Sequence, residues 1–134
     1  MNIYTVNYIL SRLSFAMAAA LAIPLVLAIV GKEASREAFM LSVFVSIFFG
    51  IAFRRYGERS DDLTPREGIA ITAFGWFTGT LLGMLPYLLG HYLGFLDALF
   101  ESISGFTGTG GTVFVTLDGV PYSILFWRMM TAWI

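Results

Sequence analysis

Nine consecutive residues, Gly105-Phe106-Thr107-Gly108-Thr109-Gly110-Gly111-Thr112-Val113, hold four glycines and three threonines and no charge. The chemistry open to such a stretch is that of the peptide backbone. Glycine permits backbone angles that turn successive carbonyls the same way, and several carbonyls together can replace the water shell of a dehydrated cation. The preceding Leu96–Ser104 segment is long enough for two to three helical turns. Asp97 suits the positive first turn of such a helix, Gly105 can close it in a left-handed cap, and its C-terminal end carries partial negative charge. Each feature favours a cation. A nucleotide-binding loop is excluded, because Val113 stands where a third glycine is needed and no lysine lies nearby. A flexible outer loop is the plain alternative reading of the same composition.

No other chemistry has a comparable constellation. The chain has no cysteine and a single histidine, His91, without a second ligand near it, so neither a disulfide framework nor a metal centre is expected. Asp61-Asp62 reads as a solvated pair, and no general acid–base couple or activated nucleophile is present. The chain is therefore not read as an enzyme, and no cofactor is expected. Glu101 and Arg128 either pair behind the short helix, as a buried charge requires, or each face interfacial water.

The elements that must position the glycine stretch are drawn by the charges. Of 134 residues, 57% are hydrophobic and 13% charged, with a mean hydropathy of +0.78. Soluble domains carry about a quarter charged residues, and so short a soluble fold could not hide this much apolar surface. With 8 basic and 9 acidic residues there is no nucleic-acid footprint. Leu13–Gly31 gives 19 uncharged residues, about 28 Å as a helix and close to the hydrocarbon thickness. Its length and the absence of a cleavage site argue against a signal peptide, and Pro24 should kink it. Ala38–Phe53 is a shorter run of 16 whose flanking Arg54 and Arg55 can snorkel.

Thr64-Pro65-Arg66-Glu67 reads as a capping box with proline at the first helical position. It opens an apolar helix over residues 65–89 that Pro86 and Gly90 bring to an end. Gly75, Gly79 and Gly83 recur every four residues along it, a bare face against which a neighbouring helix can pack. Asp118-Gly119 forms a turn, and Pro121 opens a further apolar helix. The border around Tyr56–Thr64 holds Arg54, Arg55, Arg59 and Arg66, more basic residues than any other gap. That border is assigned to the cytoplasm, which places the N-terminus inside and Gly90–Gly119 outside. Phe100, Phe106, Phe114 and Phe126 are assigned to helix packing.

The stretch Asp97-Ala98-Leu99-Phe100-Glu101-Ser102-Ile103-Ser104-Gly105-Phe106-Thr107-Gly108-Thr109-Gly110-Gly111-Thr112 resembles the first pore loop of the Trk/Ktr/HKT superfamily of potassium transporters. It is most similar to the bacterial TrkH branch, whose pattern is roughly D-A-F-F-E-x-x-S-G-[LF]-T-T-T-G-A-T. Arg66-Glu67-Gly68 and the Phe126, Arg128 and Trp133 spacing resemble the family's outer-helix and inner-helix openings. The resemblance implies an all-α membrane protein: an N-terminal helix pair over residues 1–60, then one pore-forming repeat over 61–134. That repeat would hold an outer helix at 65–89, a re-entrant pore helix at 96–104, a filter at 105–113 and an inner helix from 121.

By position, Gly110 matches the filter glycine, and Thr107, Gly108, Thr109 and Gly111 would supply carbonyls around K+. Gly108 stands where the pattern commonly has threonine and Gly111 where it often has alanine, so a looser filter is expected. The family carries four such repeats in one chain, so a single repeat reads as a piece of a longer protein. The resemblance further implies K+ uptake, alone or coupled to Na+ or H+, across the inner cell membrane. It also implies a cytoplasmic TrkA-type nucleotide-binding regulatory subunit and a homodimer at full length. The competing reading is a small non-conducting membrane protein that packs on a partner through its Gly75/Gly79/Gly83 face.

Overall fold

Each apolar run between charge clusters becomes a helix. The computed structural model describes residues 1–134 and contains α1 (Ile3–Val30), α2 (Arg36–Arg55), α3 (Pro65–Leu89), α4 (Phe95–Thr107) and α5 (Tyr122–Trp133). α1, α2 and α3 are long and apolar enough to cross a membrane. Many large apolar side chains point away from the protein, Phe44, Phe48 and Phe77 among them, as a lipid-covered surface requires. The fold is an all-α membrane protein.

Two spans are longer than hydropathy predicts. α1 begins at Ile3, ten residues before the apolar run, capped by the Asn2 side chain accepting the Tyr4 N–H at 3.1 Å. Arg12 bounds the apolar stretch but has no reason to stop a helix, since arginine is a good helix former. α2 takes in Arg36 and Glu37 at one end and Arg54 and Arg55 at the other. Its 20 residues reach about 30 Å, the full hydrocarbon thickness.

α1 and α2 pack as a hairpin through small residues. Ala38, Ser42, Ser46 and Gly50 lie four apart on α2 and are all buried. A Cβ on Gly50 would sit 2.8 Å from the Phe15 ring. The serine hydroxyls return to their own helix, Ser42 to Ala38 O at 2.6 Å, Ser46 to Ser42 O at 2.9 Å and Ser14 to Leu10 O at 2.9 Å. The contact therefore needs close approach but no hydrogen bond between the helices.

The capping box that opens α3 forms as read from sequence. Glu67 accepts the Thr64 N–H at 2.7 Å and the Thr64 hydroxyl at 2.8 Å. It also accepts the Asn2 N–H at 2.7 Å, which ties the start of α1 to the start of α3. At the opposite end of the bundle, Glu33 in the α1–α2 loop reaches Ser123 at the start of α5. Between these ends Leu21, Phe39, Tyr87, Ala98, Ile124 and Trp127, drawn from all five helices, form one fully buried cluster. The Trp127 indole donates to Gly83 O at 2.9 Å, bridging α5 and α3.

The α3 glycine face divides. At Gly83 an added Cβ would meet the Phe106 ring and lie 2.9 Å from Ser102 Oγ, so α4 packs there directly on backbone. Gly75 has only Leu13 near it, at 3.7 Å, and Gly79 has nothing within 4 Å. The expectation of tight packing along the whole row therefore holds at Gly83 alone, because α4 is short and crosses α3 only near that end.

Candidate functional site

The helix before the glycine stretch is longer than the sequence reading placed it. It runs Phe95–Thr107, taking in Gly105, Phe106 and Thr107. Gly105 stays helical, and the Thr131 side chain of α5 lies directly against it, filling the space a Cβ would need. The left-handed position passes to Gly108, at φ +67°. There the Gly108 N–H donates to Gly105 O at 3.2 Å and the Thr109 N–H to Ser104 O at 3.1 Å. These are the two bonds of a Schellman ending. Gly108, which departs from the family pattern, thus occupies a conformation that a β-branched residue adopts only under strain.

Past this turn the chain is extended and irregular, and Gly110 again has positive φ, +79°. No protein donor bonds the carbonyls of Phe106, Thr107, Gly108, Thr109 or Gly110. These five oxygens follow the C-terminal end of α4, where aligned peptide dipoles already concentrate negative potential. Thr107–Gly110 are exposed in this segment, so these carbonyls are open to an approaching ligand, and the dipole behind them favours a positively charged one. Thr107 and Thr109 have their hydroxyls 2.7 Å apart, and Thr107 also donates to Ile103 O at 2.7 Å.

The far side of the segment is held firmly. Ser104 donates to Gly111 O at 2.6 Å. Glu101, only 2% exposed, accepts the Val113 N–H at 3.0 Å and lies 3.1 Å from the Thr112 hydroxyl at both carboxylate oxygens. Its remaining capacity pairs with Arg128 Nε from α5. Of the two readings of Glu101 and Arg128, the buried pair is the one that forms. A carboxylate here satisfies three groups that α4 alone could not reach, which offsets the cost of burying it.

Sequence reasoning found Glu101 but missed Ser104, one helical turn on along the same face. It also missed Ser102, which anchors α4 to α3 through Thr80 O at 2.8 Å. A cavity of about 190 Å³ opens beside the segment, lined by Glu101, Ser104, Gly105, Gly108, Gly110, Gly111 and Arg128. Three of the five expected coordinating residues, Gly108, Gly110 and Gly111, therefore share one wall. Thr107 and Thr109 lie outside it.

Residues 35–134 match the TrkH family, described as cation transport proteins. The chain belongs to the TrkH family. It is 42% identical over 74 residues to the Trk system potassium uptake protein TrkH of Escherichia coli strain K12, a match covering 54% of this chain and 15% of that protein. The TrkH of Halomonas elongata is 40% identical over 75 residues, again 54% of this chain and 16% of the relative. An uncharacterized cation transporter of Methanocaldococcus jannaschii is 33% identical over 87 residues, 64% of this chain and 18% of that one.

The crystal structure of the potassium transporter TrkH from Vibrio parahaemolyticus superimposes with a TM-score of 0.92 at 29% identity, over 99% of this chain and 29% of that one. The chain thus spans less than a third of the TrkH proteins it matches. The non-conducting alternative is not favoured, since these relatives are named potassium uptake proteins or cation and potassium transporters. What the TrkH matches add to the geometry is the fold of the whole segment, including the α1–α2 hairpin, half of which lies ahead of the matched family residues.

Proposed function

We propose that this segment supplies the first of four pore loops in a potassium uptake system, with the Phe106–Gly110 carbonyls and Gly111 lining the ion path. The run of five carbonyls without a protein donor, set at the negative end of α4, is the observation that carries this reading. K+ would shed water there and pass inward, alone or coupled to Na+ or H+. On this reading α4 is a re-entrant pore helix and Gly108–Val113 is the filter. Thr107, the last residue of α4, contributes a helical carbonyl rather than an extended one.

The same reading sets the protein in the inner cell membrane with its N-terminus in the cytoplasm. In support, Asn2 and Glu67 meet at one end of the bundle, beside the arginine-rich border, while Glu33 and Ser123 meet at the other. The complete protein would act as a homodimer with a cytoplasmic TrkA-type nucleotide-binding regulatory subunit, as the family resemblance implies.

The test is Gly110→Asp in the complete transporter, with K+ uptake and K+/Na+ preference read per molecule in the membrane. Gly119→Asp is the control for backbone strain, because Gly119 has the same φ of +79° and stands beyond the segment. Reduced uptake or altered preference in the first variant alone supports the assignment. Unchanged transport in Gly110→Asp would remove these carbonyls from the ion path.

A further inference from the structure

The start of α5 lacks a cap of its own. Pro121, at the N-cap, has no side-chain oxygen to offer, and the first turn contains no acidic residue. The N–H groups of Ile124 and Leu125 both turn back to Pro121 O, at 3.1 and 3.2 Å. The Ser123 N–H at the second helical position would be left without a partner in a fully buried setting. Glu33, ninety residues earlier in the α1–α2 loop, accepts it at 3.1 Å.

The Ser123 hydroxyl donates to the same carboxylate oxygen. Ser35, itself fully buried, lies 2.6 Å from Ser123 Oγ and 3.1 Å from Glu33 Oε2. Two hydroxyl protons serve these three oxygen–oxygen contacts. Both go to the carboxylate, from Ser123 and from Ser35. A carboxylate at the positive end of a helix also gains from the dipole.

What α5 carries gives this cap its consequence. Within eight residues of Ser123 come Trp127, bonded to Gly83 O, Arg128, paired with Glu101, and Thr131, pressed on Gly105. Glu101 in turn holds the Val113 N–H and the Thr112 hydroxyl. The rotation and height of α5 therefore set where the far wall of the glycine segment stands.

We propose that Glu33 is a positioning residue for ion selection: the N-terminal hairpin caps α5 from outside the repeat and so holds the carbonyl segment in register. The inference rests on the proposed function. Glu33 is an ionised acceptor in this role. Burial pushes its carboxyl up, but hydrogen bonds from the Ser123 hydroxyl and N–H and from Ser35 outweigh that and leave it below the ordinary carboxylate range.

The test uses the complete transporter with K+ uptake and K+/Na+ preference measured per molecule in proteoliposomes, beside wild type and Gly110→Asp. Glu33→Ala should raise the KM for K+ about fivefold, in line with the loss of a helix cap, and lower K+/Na+ preference. Glu33→Gln, which keeps an acceptor but loses the charge, should fall between. S35C/S123C joins two atoms already in contact; oxidised to a disulfide in the Glu33→Ala background it should restore wild-type KM, and reductant should abolish the rescue.

Where Glu33→Ala does not reach the membrane, S35C/S123C with Glu33 intact decides. Equal transport before and after oxidation supports a fixed brace, and loss on oxidation overturns it. Wild-type KM and preference in both Glu33 variants, with Gly110→Asp altered, overturn this inference alone. An unaltered Gly110→Asp overturns the functional reading beneath it.

Discussion

The α1–α2 hairpin and the α4–α5 junction are both buried helix contacts, yet they are held together by opposite means. Along the hairpin, Ala38, Ser42, Ser46 and Gly50 let two backbones close up, and the serine hydroxyls bond only their own helix. At the junction, polar side chains reach beyond their own helix: Glu101 to Arg128 and Val113, and Ser104 to Gly111. The difference follows from where backbone groups find partners. A regular helix satisfies its own peptides, so its neighbours need only supply shape. Irregular backbone cannot do so, and side chains complete part of it, at Gly111 O and the Val113 N–H.

The sharpest way to break this comparison is Glu101→Ala. It strips the Val113 N–H, the Thr112 hydroxyl and Arg128 of their shared partner. Removing one member of a buried pair costs about 3–5 kcal/mol, so the thermal midpoint of the detergent-solubilised protein should fall steeply. A drop no larger than that of a hairpin serine variant would refute the distinction. The α3 glycines test the shape side within a single helix. Gly83→Ala forces a Cβ against Phe106 and Ser102 and should cost about 1–3 kcal/mol. Gly79→Ala enters open space and should stay within about 0.5 kcal/mol of wild type.

The finest comparison sets one serine against another. Ser104→Ala loses the bond to Gly111 O and should cost about 1 kcal/mol, with K+ affinity changing alongside stability. Ser42→Ala removes only a bond to its own helix and should change stability by less than about 0.5 kcal/mol. Equal effects from the two would mean that the junction, like the hairpin, is held by shape.

The same division accounts for what could be read from the sequence. The three spans and the Thr64–Glu67 box were legible because hydropathy and capping are local properties. The first ten residues of α1 were not, since a charge marks the edge of the apolar zone rather than the edge of a helix. Gly105 and Gly108 were both able to end α4. The structure puts the left-handed turn at Gly108 and packs Gly105 on Thr131 of α5. The division of the candidate residues Thr107 to Gly111 between helix and extended chain follows from the place of that turn, which composition alone does not give. Ser104 carried a faint signal through its spacing from Glu101. Glu33 carried none, because nothing near residue 33 announces a proline-headed helix ninety residues on.

The five free oxygens of Phe106–Gly110 belong to the main chain, and that shapes how this segment can vary. Every amino acid supplies a carbonyl, so substitution cannot delete the donor atoms themselves. It can act only on torsion angles and on the side chains that brace them. Gly108 and Gly110 should accordingly tolerate little, while Thr109 between them should accept many replacements that keep its backbone in place. Peptide oxygens also have no proton to gain in the physiological range, so acidification leaves these ligand atoms as they are.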